Sequence, residues 1–297
     1  MKIKDRVITS DTDSVFFELK DLILHRNPQI DFKNRKEVIE ICKDITTQYQ
    51  EKTIPFLNTL SKNLFNCENK YFELKQEVIL ERGYFADKRR YAIFIVNKEG
   101  VDTEELDMKG LDIMKSNMAP IYKKFGEEIL MDIMYGKNKD EIDEKIISFK
   151  KKINTLHYKD ISRPTGVKNI KKYIAGKPGE GNIFSSLALK CPINTRAAIY
   201  YNDLIKFHKL NKQYQGFVVG DKMYYCNLKD NPYQINVLGF RGNDEDPQVI
   251  VDILEKYADR ETTFKSVFLN KLTNIYSDLK WSFPALNTNV SKFFSFS

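Results

Sequence analysis

The chain has 297 residues, 42% hydrophobic and 30% charged, a balance that supports the core of one large or two modest domains and excludes a disordered polymer. No apolar run reaches the roughly 18 residues needed to cross a bilayer, and the opening Met-Lys-Ile-Lys-Asp-Arg leads into no apolar leader segment, so a cytoplasmic protein with no membrane partner is expected. Lys and Arg number 48 against 41 Asp and Glu, a net charge of +7 that is compatible with a nucleic-acid partner, depending on where the charge gathers.

Residues 7–9 and 15–17 are rich in Val, Ile, Thr and Phe, and Ser10-Asp11-Thr12-Asp13-Ser14 lies between them. That pattern predicts a β-hairpin with Asp11 and Asp13 at its tip. Two carboxylates that close form a hard-oxygen site suited to Mg²⁺, which is held by one or two carboxylates plus substrate phosphates. In isolation the same Asp-x-Asp is ordinary turn chemistry. Next, Asn34 is placed to cap a helix, with Glu37 as the capping-box partner, and Val38, Ile41, Cys42, Ile45 and Tyr49 give it one apolar face. Pro55 is expected to kink or end that helix, and Leu57, Leu60 and Leu64 continue the pattern beyond it.

Strand-like sequence runs from Tyr71 to Phe85 and again from Tyr91 to Val96, with Lys88, Arg89 and Arg90 between them. Gly110 stands where a backbone conformation or close approach resisted by other residues is needed. From Pro120 a helix carries Ile121, Phe125, Ile129 and Ile133, and Gly136 ends it. A second helix buries Ile142, Ile146, Phe149 and Ile153, leaving Lys145, Lys150, Lys151 and Lys152 on a solvated face. Residues 160–196 are Pro- and Gly-rich and read as irregular; Lys177-Pro-Gly-Glu-Gly lacks the spacing of a phosphate loop. Two further helices follow, one opening at Asp246-Pro247 and one carrying Phe264, Val267, Phe268, Leu272 and Ile275. Cys42, Cys67, Cys191 and Cys226 form no Cys-x-x-Cys pair and there are only three His, which argues against zinc and for free thiols. Phe293, Phe294 and Phe296 close the chain, a tail that must dock in the protein's own core or in a partner's pocket.

The ordered set Ser-Asp-Thr-Asp-Ser, Lys88-Arg89-Arg90-Tyr91, Lys109-Gly110-Leu111-Asp112, Lys190-Cys191-Pro192 with Arg196, Asn231-Pro232 and the Phe-rich tail resembles the C-terminal part of family B DNA polymerases, closest to the T-even-type phage replicative enzymes. The resemblance covers nearly the whole chain. It implies an α+β fold: a partial palm over 1–105 with antiparallel strands and the metal-binding hairpin, a mainly helical thumb over 106–290, and a clamp-binding tail over 291–297.

The same resemblance implies residue roles. Asp13 matches the metal-binding Asp of the family hairpin and Asp11 its less direct companion, in enzymes that extend a primer by two-metal phosphoryl transfer. Glu77 matches a further palm carboxylate. Lys88, Arg89, Arg90 and Tyr91 match the element that grips primer-template DNA near the primer end, with Arg89 where the family has Lys, a fork in place of a point charge. Gly110, Lys115 and Ser116 match the thumb base that follows the primer strand, and Lys190 and Arg196 match positions near duplex phosphate. Phe293, Phe294 and Phe296 match the peptide that holds a sliding clamp.

Two family motifs are missing: the upstream Asp-x-x-Ser-Leu-Tyr-Pro strand with the other metal-binding Asp, and the Lys-x-x-x-Asn-Ser-x-Tyr-Gly fingers helix that binds the dNTP. The sequence also lacks an exonuclease domain. The implied protein is therefore the C-terminal subunit of a split DNA polymerase, active with Mg²⁺ only beside a chain carrying exonuclease, first palm half and fingers. The competing class is a non-catalytic DNA-binding and clamp-tethering module, which has no need of two hairpin carboxylates.

Overall fold

The computed structural model describes residues 6–11, 14–67, 73–115, 117–179, 182–242 and 245–284. Helices account for 46% and antiparallel strands for 22%, an α+β protein. The chain divides into two compact units, Met1–Leu111 and Asp112–Ser297. Among the described residues no helix is long and apolar enough to cross a membrane.

In the first unit, β1 (Val7–Asp11) and β2 (Ser14–Phe17) form the expected hairpin, closed by the pair Asp11 and Ser14. Helix α1 (Lys20–Arg26) is tied to α2 (Arg35–Phe65) by hydrogen bonds from Arg26 to Asp44 and to Gln48 at 2.6 Å. Asn34 starts α2 as anticipated, but its side chain donates to the Glu37 carboxylate at 3.0 Å instead of capping a backbone amide. Pro55 does not end α2, which continues unbroken for ten further residues. An interior proline costs about 3 kcal/mol or more, and a helix of 31 residues holds its course through the turns on either side.

Strands β3 (Val78–Asp87), β4 (Arg90–Lys98) and β5 (Val101–Lys109) form an antiparallel meander. Regular pairing starts at Val78, seven residues after the Tyr71 expected from sequence; Tyr71 lies outside the described residues. The central β4 is buried on both faces from Ala92 to Val96. Arg35 bridges Glu81 of β3 and Glu104 of β5 and lies over the Phe94 ring at 5.9 Å, which fixes the start of α2 across the sheet.

The second unit opens with a tight turn, Asp112–Met114, then α3 (Pro120–Met134) and α4 (Lys139–Ile153). Gly136 follows α3 at φ +84°, and Asn138 with Glu141 forms a complete capping box on α4. Lys145 and Lys150 are less free than a solvated face implies: the first pairs with Asp132 at 2.6 Å and the second with Glu261 at 3.2 Å. Helix α5 (Tyr158–Ile161), β6 (Arg163–Gly166), α6 (Ile170–Tyr173), β7 (Ile174–Gly176) and β8 (Ser186–Leu187) occupy the stretch expected to be irregular. Helix α7 (Ile193–Phe207) follows, then β9 (Lys222–Asn227), β10 (Val237–Phe240) and α8 (Gln248–Tyr257). Strands pair in the order β10-β9-β6, and the core closes around α7, β10 and α8 through residues such as Tyr201, Leu204, Leu238 and Leu254. Last, α9 (Arg260–Phe264) widens into a π turn, Lys265–Leu269, and continues as α10 (Asn270–Asp278). Phe264 and Phe268 stack there on Tyr122, with Phe125 and Phe149 completing the aromatic cluster.

Candidate nucleic-acid interface

Asp11 of the hairpin meets the Lys88-Arg89-Arg90-Tyr91 segment at the turn between β3 and β4. Arg89 donates from Nε to Asp11 Oδ2 at 2.6 Å and from Nη2 to Asp11 Oδ1 at 2.8 Å, a two-pronged pair across 78 positions of sequence. These hydrogen bonds raise the Arg89 pKa further above its ordinary value. A planar fork matches both carboxylate oxygens at once, which the point charge of Lys does not. Three contacts set this geometry. Ser14 Oγ donates to the Asp11 carbonyl at 3.3 Å across the hairpin tip. Phe16 packs on Phe85 and Tyr91, with ring centroids 5.6 and 5.8 Å apart, so the hairpin sits against the ends of β3 and β4. Arg89 itself has φ +60°, a left-handed conformation that costs a side-chain-bearing residue about 1 kcal/mol or more.

Gly110, at φ +67°, lies against this turn, and a Cβ there would stand 2.1 Å from the Arg89 carbonyl oxygen. Both reasons for expecting glycine at 110, a conformation and a close approach, are therefore met at once. Tyr91 is partly buried; desolvation raises its pKa, with Asp107 and then Asp11 adding in the same direction. Lys88 is exposed beside it, its amide held by Asp87 Oδ1 at 2.7 Å. The result is a cationic turn, Lys88-Arg89-Arg90, leaning on one carboxylate of the hairpin.

Glu77 does not join this group. Its carbonyl accepts from Glu99 N at 2.7 Å, at the Val78–Lys98 end of the β3–β4 ladder, whereas Arg89 sits beyond the Asp87–Arg90 end. At about 3.3 Å per residue the two ends are roughly 30 Å apart, so Glu77 is removed from the Asp11–Arg89 pair. Asp13, Ser116, Phe293, Phe294 and Phe296 lie outside the described residues.

The described residues alone do not fit Mg²⁺. Both carboxylate oxygens of Asp11 are engaged by Arg89, and no group of three or more His, Cys, Asp or Glu among the described residues could hold a metal ion.

The second unit carries a separate cationic surface. Between residues 163 and 196 seven Lys and Arg stand against a single acid, Glu180. Lys168, Lys171, Lys172, Lys177 and Lys190 are all exposed, and among the described residues none of the seven forms an ion pair. Lys190 takes φ +60° in the turn before α7. Arg196 is tied inward: Nη1 donates to Asn236 Oδ1 and Nη2 to the Cys191 carbonyl, each at 3.3 Å, so it braces the start of α7 more than it faces solvent. Lys115 pairs with Asp112 at 2.6 Å. Sequence reasoning picked Lys190 and Arg196 and passed over Lys168, Lys171 and Lys172; the local excess of charge was the signal that would have found them.

No protein-family model matches the chain, and no curated protein matches it at significant similarity.

Proposed function

We propose that this chain is the palm–thumb subunit of a split DNA-directed DNA polymerase, gripping primer-template duplex and completing a nucleotidyl-transfer centre together with a second polypeptide. The observation that carries the reading is the Asp11–Arg89 pair. Two motifs that resemble family B elements, the hairpin and the Lys-Arg-Arg-Tyr turn, meet at one spot although 78 residues separate them. A chance resemblance of two short strings carries no such requirement.

In this reading Lys88 and Arg90 contact duplex phosphates, and Arg89, aligned by Asp11, reaches the minor groove near the primer end without selecting sequence. Lys168, Lys171, Lys172 and Lys190 add phosphate contacts along the duplex. Asp13 remains the proposed Mg²⁺ ligand, and the second polypeptide supplies the other carboxylate and the dNTP site. The Phe tail is assigned to a sliding clamp.

One observation favours the non-catalytic alternative, a DNA-binding tether: the described hairpin carboxylate is occupied by an arginine. Primer extension separates the two. The chain alone should bind duplex and incorporate nothing; mixed with a polypeptide bearing the two missing motifs, it should extend a primer, and Asp13→Ala should abolish extension while sparing duplex binding. Normal duplex binding with no extension in the mixture would establish the tether instead.

A further inference from the structure

One face of α7 carries Arg196, Tyr200, Asp203 and Phe207, which recur at helical spacing. Asp203 is buried, and its carboxylate accepts from Ser185 N at 2.8 Å. Phe207, at the end of the helix, is 54% exposed. A chain of aromatic rings joins the two ends of this face. Tyr200 meets Phe184 with centroids 4.9 Å apart, and Phe184 meets Tyr233 at 6.5 Å. Tyr233 meets His208 at 6.4 Å, and His208 meets Phe207 at 5.0 Å. The Tyr233 hydroxyl and His208 Nε2 also share a hydrogen bond of 3.3 Å. Phe184, Tyr200 and Tyr233 are half-buried against the core.

The exposed end of this chain of rings is cationic. Residues 204–220 contain Lys206, Lys209 and Lys212 and no Asp or Glu. All three lysines are exposed, and among the described residues none of them forms an ion pair. The flanking acids are engaged elsewhere: Asp203 holds Ser185, and Asp221 accepts from Val218 N at 3.0 Å and pairs with Arg241 at 3.7 Å. Leu210 N donates to the Ile205 carbonyl at 2.7 Å and Lys209 N to the Lys206 carbonyl at 3.0 Å, the two bonds of a Schellman cap. Lys209, at φ +56°, takes the left-handed position that glycine ordinarily fills. The chain thus keeps a cation beside Phe207 at a backbone cost.

This combination selects the ligand. A duplex holds its bases inside its own stack, so cations alone suffice to bind it. An acidic peptide supplies charge but no succession of planar faces. A single strand supplies both, and proteins hold it by tracking its phosphates with cations while its bases stack on aromatic side chains. We infer that the turn after α7 and the rings leading from it form a binding track for single-stranded nucleic acid, with Phe207 as the stacking platform and Lys206, Lys209 and Lys212 on the phosphates. Helix α7 has 15 residues, a length of roughly 20 Å, which separates this turn from Lys190 and Arg196 at the other end. The track goes beyond the proposed function and needs neither Asp13 nor a second polypeptide.

The test uses the full chain in fluorescence anisotropy with short labelled oligo-dT, oligo-U and a blunt duplex, and with polyglutamate as competitor. Phe207→Ala should weaken single-strand binding by about fivefold or more and leave duplex binding unchanged, while Phe207→Trp should retain both. Comparing oligo-dT with oligo-U identifies DNA or RNA as the preferred strand. Lys206→Ala with Lys212→Ala should lower the magnitude of the single-strand salt slope by about 1.4. Lys209→Gly separates binding from structure: it should melt no lower than the wild type and yet bind the single strand severalfold more weakly. No single-strand binding, an equal or absent effect of Phe207→Ala on single strand and duplex, unchanged affinity in Lys209→Gly, or displacement of the oligonucleotide by polyglutamate at matched charge would each overturn the inference. None of these measurements reads nucleotide incorporation. A chain that binds single strands through Phe207 yet extends no primer refutes the catalytic reading and leaves the track standing.

Discussion

Replacing Gly110 by alanine separates two costs that usually travel together. At φ +67° an alanine pays about 1–2 kcal/mol for the left-handed conformation. The added Cβ would also meet the Arg89 carbonyl oxygen at 2.1 Å. Both partners are tied to backbone, so no rotamer relieves the overlap, and the turn at 88–90 must move, at a further ~1–3 kcal/mol by comparison with overpacked cores. Gly100 supplies the control: it has φ +87° with nothing within 4 Å of a Cβ, so Gly100→Ala pays the conformational cost alone. At about 4–8 °C per kcal/mol for a unit of this size, the summed ~2–5 kcal/mol should lower the melting temperature of Gly110→Ala by roughly 8–40 °C, and the ~1–2 kcal/mol of Gly100→Ala should lower it by roughly 4–16 °C. Differential scanning calorimetry gives both values, and exchange of the β4 amides assigns the transition to the first unit. Because the displaced turn carries Arg89, Gly110→Ala should also weaken duplex binding in fluorescence anisotropy, whereas Gly100→Ala should not. Equal melting shifts for the two variants would show that the approach of Gly110 to the turn is not a real constraint.

Other expectations follow from particular contacts. Lys88→Ala, at a proposed phosphate contact, should reduce the magnitude of the slope of log affinity against log salt by about one, read in anisotropy titrations; Lys168→Ala, Lys171→Ala and Lys172→Ala together should reduce it by about three, and an unchanged slope would remove those residues from the interface. The buried Tyr122 hydroxyl has no hydrogen-bond partner among the described residues, so Tyr122→Phe should be neutral or stabilising by up to ~1 kcal/mol, while Tyr276→Phe loses a 2.6 Å hydrogen bond to Asp143 and should cost about 1–2 kcal/mol, both measured by urea unfolding. Burial works to raise the Asp132 pKa, but hydrogen bonds from Lys145 and Lys137 outweigh it and the net shift is downward. A depressed folded pKa adds stability above the unfolded value that is lost as pH falls through the folded one. Asp132→Asn should therefore cost about 1 kcal/mol near pH 7, with the difference from wild type closing below about pH 4.

How much of this was legible in the sequence depends on how each residue's signal is carried. The hairpin, α3, α4, α8 and the run from Arg260 to Asp278 announce themselves because one face is apolar and the other polar, or because caps and glycines mark their ends. Helix α7 was missed because its first residues, 193–196, fall inside the Pro- and Gly-rich stretch read as irregular, although Ala197, Ala198, Ile199, Tyr201, Leu204 and Ile205 are all buried. Strand β5 was missed because Asp102, Glu104, Glu105 and Asp107 depress strand propensity; its partner β4 supplies the hydrogen bonds that override it. Pro55 misled because the cost of a missing amide is local while the length of α2 is not.

The Asp11–Arg89 pair belongs to a third category, invisible in either segment alone. Sequence offered an acid at a hairpin tip and a base in a basic run, each with an ordinary explanation as turn chemistry or solvated charge. Their meeting depends on Phe16 seating the hairpin against Phe85 and Tyr91 and on Gly110 letting the chain close over the turn. In the proposed reading the two hairpin carboxylates divide the labour. Asp11 is bound to an arginine, and in that reading its effect on extension passes through the position of Arg89. Asp11→Asn keeps one acceptor and removes the charge. In the mixture with a polypeptide that carries the missing motifs, it should lower the rate of extension more for a primer with a mismatched end than for a paired one, since a loosened Arg89 reads the terminal pair less well. Asp13→Ala should abolish extension on both. Measured in single-turnover extension, equal loss on the two primers for Asp11→Asn would place Asp11 with the metal ligands and refute the assignment.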